Sequence, residues 1–229
     1  MHKPFSKRNL WQEWRGFVLF IAIMLIFRSA IADWNQVPTG SMIPSILAGD
    51  RIVVDKMAYD LRLPFTLIRV WHYQDPQRSD VITFESPQDD KLLVKRVIGT
   101  PGDVVTLRNN KLSVNEQTAQ YAPLIQQSPD HTILPSEIDL YTETVLGESR
   151  TIMLHRLNGT YRHQNFGPVE VPADHYLVLG DNRDNSQDYR FIGFVHRNSI
   201  LGKANAIAFS LDYENYYIPR SERFFRALN

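Results

Sequence analysis

Three stretches of this 229-residue chain carry residue types that could make and break an acyl bond. The first is Pro38-Thr39-Gly40-Ser41-Met42-Ile43-Pro44-Ser45. Its prolines fix φ and Gly40 admits conformations that other residues avoid, so the segment could hold the Ser41 hydroxyl rigid and exposed. It could also turn backbone N–H groups toward a developing oxyanion. The plainer alternative is a turn that leads into a strand. No Gly-x-Ser-x-Gly elbow surrounds Ser41, so an α/β-hydrolase is not indicated. The second stretch is LLVKRVIGTPGD, residues 92–103. On a strand, Lys95 shares a face with Leu93 and Val97. An ammonium among branched apolar groups loses hydration and its pKa falls, which lets a lysine take the proton of a serine hydroxyl near neutral pH. The competing reading lays the stem on apolar surface with the ammonium in water. Arg96, on the opposite face, could pair with a carboxylate. The third stretch, GDNRDNSQDYR (residues 180–190), is a polar knot behind the apolar segment HYLVLG. It reads either as a solvated loop with Asx-turns, or as a loop whose Ser186 hydroxyl orients the lysine while Asp188 and Arg190 pair.

Histidines are the rivals to Lys95. His175 or His196 could join Ser41 and one of Asp174, Asp181 or Asp184 in a triad, which is recognised by geometry and not by order. His175, however, opens a strand, and His196 follows FIGFV without a companion motif, so the lysine is preferred. His155 and His163 flank Asn158 but lack a third metal ligand.

The elements that must position these residues read as short strands: 51–59, 80–86, 91–98, 103–108 and 175–180, rich in Val, Ile, Thr and aromatics and bounded by Gly, Pro, Asp and Asn. Asn109-Asn110 predicts a hairpin turn, and so does Asn158-Gly159. With Thr160 the latter is also a glycosylation sequon, for which the turn is the preferred explanation. No long amphipathic helical pattern follows residue 35. The expected fold is mostly β: an antiparallel catalytic core from 35–110 and 168–229, interrupted by a smaller, more polar β-rich insertion at 111–167. Residues 1–34 form a leader and one N-terminal transmembrane helix.

Composition narrows the partners. Lys and Arg number 25 against 25 Asp and Glu, so the basic excess of a nucleic-acid-binding protein is missing. With no cysteine and no His-Glu-x-x-His, a structural zinc site is not expected. Charge is unevenly spread, since residues 1–28 hold Lys3, Lys7, Arg8, Arg15 and Arg28 against Glu13 alone. Phe17 to Phe27 is uninterrupted apolar sequence, about 16 Å as a helix against a hydrocarbon core of about 30 Å. Trp11 and Trp14 upstream, and Ala30, Ile31 and Trp34 downstream, can lengthen it. An uncleaved anchor is preferred to a cleaved leader, because SAIADW is only a loose small-x-small site. The preceding basic residues put the N-terminus in the cytoplasm and everything after about residue 34 outside.

PTGSMIPS, VKRVIGTPGD and GDNRDNSQDYRFIGFV, in this order behind a hydrophobic segment, resemble the signature boxes of bacterial signal peptidase I. GDRIVVDK and RSDVITFESP resemble further stretches of that family, and the similarity covers about residues 28–108 and 170–208. The resemblance implies Ser41 as nucleophile and Lys95 as general base. Ser186 matches the hydroxyl that positions the lysine, and Thr39 the hydroxyl that joins the Ser41 N–H in the oxyanion hole. Asp181, Arg183, Asp188 and Arg190 match residues that support the site. Val37 and Val94 match the walls of the pocket for the small residue before the cut. It further implies an endopeptidase of the bacterial inner membrane, single-pass, acting from the outer side on exported precursors after a small-x-small motif, with no metal or organic cofactor. Two alternatives remain: a peptidase of the same fold dedicated to one secretion or conjugation substrate, and a non-catalytic anchored β-module that binds envelope proteins.

Overall fold

The computed structural model describes residues 7–66, 68–89, 91–124, 138–155, 165–213 and 215–228. Helix α1 (Lys7–Ala30) leads into β1 (Ala32–Gln36). There follow β2 (Asp50–Asp55), a hairpin of β3 (Asp60–Arg62) and β4 (Arg69–His72), β5 (Val81–Glu85) and β6 (Leu92–Gly99). Strands β7 (Val104–Arg108), β8 (Lys111–Val114), β9 (Gln117–Thr118), β10 (Gln120–Pro123), β11 (Ile138–Val145), β12 (Glu148–His155) and β13 (Phe166–Glu170) come next. The chain continues through β14 (His175–Leu179), the one-turn helix α2 (Tyr189–Ile192), β15 (Val195–His196), the long β16 (Ile200–Asp212), β17 (Ile218–Pro219) and β18 (Arg226–Ala227).

The largest sheet has nine strands, ordered β1-β2-β16-β5-β6-β14-β15, with β17 and β18 paired to β16. A four-stranded sheet runs β13-β7-β8-β9 and a three-stranded one β10-β11-β12. All the paired strands are antiparallel, so the mostly-β antiparallel expectation holds. The Asn109-Asn110 turn forms as expected: Arg108 faces Lys111 across β7 and β8, and both asparagines adopt positive φ (48° and 58°), as a two-residue hairpin of matching twist requires. The Asn158-Gly159 turn and His163 lie outside the described residues.

Strand β6 is central, and its neighbours cover both faces. Leu93 and Val97 enter a cluster with Ile82, Phe84 and Val178, whereas Val94 packs on Val37, Met42 and Val54, and Ile98 on Val105 and Leu177. From Lys95 to Gly99, a residue of β6 is therefore withdrawn from water on either face.

The transmembrane expectation needs correction. A helix does form at the N-terminus, but among the described residues no helix is long and apolar enough to cross a membrane. The apolar run stops at Arg15 on one side and Arg28 on the other, which leaves too short a stretch.

The 38–48 segment is an excursion closed at its base by Val37, whose N–H donates to the Asp50 carbonyl (3.0 Å) and whose carbonyl accepts from the Gly49 N–H (3.1 Å). The wholly buried Asp50 carboxylate accepts from the Leu47 N–H (2.8 Å) and from Arg223 Nε and Nη2 (3.1 and 2.6 Å), while Arg223 Nη2 also donates to the Ser45 carbonyl (3.1 Å). Breaking such a pair leaves a buried charge uncompensated. Arg223→Met is expected to lower stability by about 3–5 kcal/mol, read by urea denaturation, with much of the loss recovered in Arg223→Met/Asp50→Asn.

Candidate active site

Two loops and one strand meet at Ser41. Lys95, on β6, is 2% exposed, and its Nζ lies 2.8 Å from Ser41 Oγ and 3.0 Å from the Val94 carbonyl oxygen. A neutral amine has two N–H donors and one lone pair. Donation to Val94 leaves the lone pair free to face the hydroxyl. Burial pushes the amine down to about 8, against the opposing pull of the Asp188 and Asp181 carboxylates.

Both carboxylates are already claimed by guanidinium groups. Asp181 accepts from Arg96 Nε (2.9 Å) and Nη2 (2.8 Å) and from the Ser45 hydroxyl (2.6 Å). Asp188 caps α2, takes the Gly180 N–H (3.0 Å) and holds Arg190 through Nε and Nη2 (both 2.8 Å). Arg96, expected to seek a carboxylate on the face opposite Lys95, has found Asp181.

The 180–186 loop grips the main chain at Gly40 and Ser41. Asn182 donates its N–H to the Ser41 carbonyl (3.1 Å) and its side-chain amide to the Gly40 carbonyl (3.0 Å). Gly180 is the point of closest approach, where a Cβ would stand 2.2 Å from Ser186 Oγ and 2.5 Å from the Ser41 carbonyl oxygen. Gly180 thus lets Ser186 and the Ser41 main chain come close together. The buried Ser186 Oγ makes no hydrogen bond, so the expected contact with the lysine is not formed in this state. Thr39 is exposed two residues before Ser41. Val37 and Val94 share one apolar cluster beside the Ser41–Lys95 pair.

The rival histidines point their bonding elsewhere. His175 and His196 face each other across β14 and β15 with ring centroids 4.9 Å apart. The first bonds through Nδ1 to the Ala173 carbonyl (2.8 Å), and the second accepts the Asn198 N–H (3.0 Å). Asp184, a suggested third member, instead takes the His155 N–H (2.8 Å) and the Asn110 amide (3.0 Å).

Arg183 is brought to the site in an unforeseen way. It reaches Glu143 of β11 through Nη1 (2.7 Å) and Nη2 (2.5 Å), and Arg150 of β12 meets the same carboxylate (2.7 Å). Neither Glu143 nor Arg150 was singled out from sequence. A usable signal exists, because Glu143 shares a strand face with Tyr141 and Val145 and so falls on the inward side.

A serine hydroxyl against a water-starved amine, with the apolar side chains of Val37 and Val94 in the neighbouring cluster, can carry out acyl transfer. The comparisons with known proteins agree. The family described as "Signal peptidase, peptidase S26" matches residues 11–209. The signal peptidase I of Pseudomonas fluorescens is 36% identical over 205 residues, covering 84% of this chain and 70% of that one. That of Pseudomonas aeruginosa is 35% identical with the same coverage, and that of Buchnera aphidicola is 31% identical over 232 residues, covering 86% and 74%. The chain belongs to the signal peptidase family, peptidase S26.

Proposed function

We propose that the chain is a serine endopeptidase that removes N-terminal signal peptides from exported precursors, with Ser41 as nucleophile and Lys95 as general base. The observation that carries this reading is the 2.8 Å separation of Lys95 Nζ and Ser41 Oγ in a setting almost free of water.

The precursor binds extended, and β1, at the end of the nine-stranded sheet and running directly into Val37, offers an edge for strand addition. Val37 and Val94 wall the pocket for the residue before the cut, and branched side chains there favour alanine-sized groups over larger ones. Ser41 Oγ attacks the scissile carbonyl carbon while its proton passes to the Lys95 lone pair. The oxyanion is met by the Ser41 N–H and the Thr39 hydroxyl. Collapse breaks the C–N bond, and the Lys95 ammonium returns the proton to the departing amine of the mature chain. Water, deprotonated by Lys95, then releases the signal peptide from Ser41. Ser186 serves as the second hydroxyl near the lysine, and Asp181, Arg183, Asp188 and Arg190 hold the loops in register.

The site works against a membrane. Support comes from α1, whose Phe17, Phe20, Ile23 and Phe27 are all about half exposed, an apolar surface that lipid covers at no desolvation cost. The β3–β4 hairpin adds Phe65, Ile68 and Trp71, each 60% exposed or more, and the Phe65 N–H donates to Ser29 Oγ (2.6 Å) at the end of the helix. A single crossing by the short run between Arg15 and Arg28 is met by local thinning of the bilayer and by the two arginines snorkelling to the headgroups, with the basic N-terminus in the cytoplasm and the β-domain outside.

Ser41→Ala is expected to lower cleavage of an Ala-x-Ala precursor by about 10⁴-fold or more while the protein stays folded. Full cleavage by folded Lys95→Ala would remove the proposed base.

The active form carries Lys95 unprotonated, so kcat/KM is expected to rise with pH through an inflection near 8 and then level. Lys95→Arg, charged at every accessible pH, should show no such limb. A wild-type profile flat from pH 6 to 9 contradicts the assignment.

The chain has no cysteine, so single cysteines report topology cleanly. A membrane-impermeant maleimide on intact spheroplasts is expected to label Lys111→Cys and to spare Ser6→Cys; the reverse pattern overturns the orientation.

A further inference from the structure

We infer that Glu143, on the three-stranded sheet, is a positioning residue for the cleavage reaction, acting on the nucleophile through Arg183. The inference rests on Ser41 and Lys95 carrying the chemistry. It assigns the β10-β11-β12 sheet a part in that chemistry.

Glu143 is wholly buried and fully charged. Burial alone would raise its carboxyl, yet Arg183 and Arg150 hold it down to about 2. It accepts from Arg183 through both terminal nitrogens, from Arg150 Nε and from the Tyr121 hydroxyl (2.7 Å). A bidentate guanidinium–carboxylate pair fixes both distance and plane. Arg183 is 1% exposed, so its side chain has no water to fall back on.

The same loop is tied to the same sheet by main chain. The Met153 N–H of β12 donates to the Asp181 carbonyl (2.8 Å), and the Arg183 N–H donates to the Met153 carbonyl (3.1 Å). Residues 181–183 thus lie as a short parallel addition on β12, bridged at Met153 and Asn182. Asn182, between the two anchor points, is the residue that holds the Gly40 and Ser41 carbonyls. The path from Glu143 to Ser41 therefore runs by hydrogen bond from the carboxylate to the Arg183 side chain, covalently along the main chain from Arg183 to Asn182, and by hydrogen bond from Asn182 to the two peptide units around Ser41. The orientation of the Ser41 N–H, which faces the developing oxyanion, depends on those peptide planes. Displacing a reacting group by about 1 Å costs up to about 10²-fold in rate.

This role differs from simple bracing. A brace, once cut, lowers the melting temperature and leaves the folded molecules fully active. A positioning residue lowers kcat per folded molecule while the ground-state affinity for an extended peptide, set on β1 and the Val37–Val94 pocket, is unchanged. It also differs from a field effect on Lys95, which would move the inflection of the pH profile.

The test uses the full-length chain in detergent or vesicles. Glu143→Gln keeps the shape and removes the charge, and Arg183→Lys keeps the charge and removes the fork; the second serves if the first does not fold. For either, kcat per active site, counted by the acyl-enzyme burst, is expected to fall about 10–100-fold with KM and the inflection near 8 unchanged. The double variant should be no slower than the worse single. Tyr121→Phe, which removes one hydrogen bond to Glu143, should give a smaller loss of the same kind. Unchanged kcat in folded Glu143→Gln with only a lowered melting temperature overturns the inference, and so does a loss confined to KM. Ser41→Ala run alongside separates the two levels. If it still cleaves, the underlying assignment fails; if it is dead and Glu143→Gln is normal, only the role of Glu143 does.

Discussion

An amine deprived of water is the constraint from which the rest of the site follows. The drop of the Lys95 pKa from 10.5 to about 8 corresponds to a penalty on the order of 3 kcal/mol against its charged form. The penalty falls on the folded state below pH 8, where the buried amine must carry a proton, and is relieved as pH rises from 8 toward 10.5. Every neighbour respects it. The two carboxylates able to pull the proton back, Asp188 and Asp181, are occupied by Arg190 and Arg96. The groups that touch Nζ itself, Ser41 Oγ and the Val94 carbonyl, are uncharged.

Around that amine the molecule uses buried ion pairs as laces between distant segments. Arg96 of β6 meets Asp181, Arg183 meets Glu143, and Arg223 meets Asp50. Pairs like these add little net stability, because desolvating both charges offsets most of the attraction. Their geometry is nevertheless exacting, and a misplaced loop would strand a charge. They act here to select one arrangement of the 38–48 and 180–190 segments over near alternatives.

How far the sequence announced all this follows from the range of each signal. The strands around 51–55, 81–85, 92–98 and 104–108 were legible because Val and Ile in short runs between turn residues are a local code, and Asn109-Asn110 is a local turn. Ser41, Lys95 and the 180–190 loop stood out because Gly, Pro and dense polar residues are unusual beside apolar strands. Glu143 was not legible, since one glutamate in a polar tract looks solvated until its partner, 40 residues away, is placed beside it. Asp50 and Arg223, 173 residues apart, are hidden for the same reason. The contact of Ser186 with the lysine was inferred from a motif, which carries residue types but no rotamer. The anchor was read from an apolar run whose length and charged ends set a limit that hydrophobicity alone did not express.

The tie between Asp50 and Arg223 bears on when the enzyme comes into being. The arginine that closes the Ser41 segment lies 173 residues beyond Asp50, so it is made after both Ser41 and Lys95. During synthesis the serine and the lysine are both present while the strap over their loop is still missing. Closure of the 38–48 loop thus follows the order of translation: the serine and the lysine precede the residue that docks on Asp50.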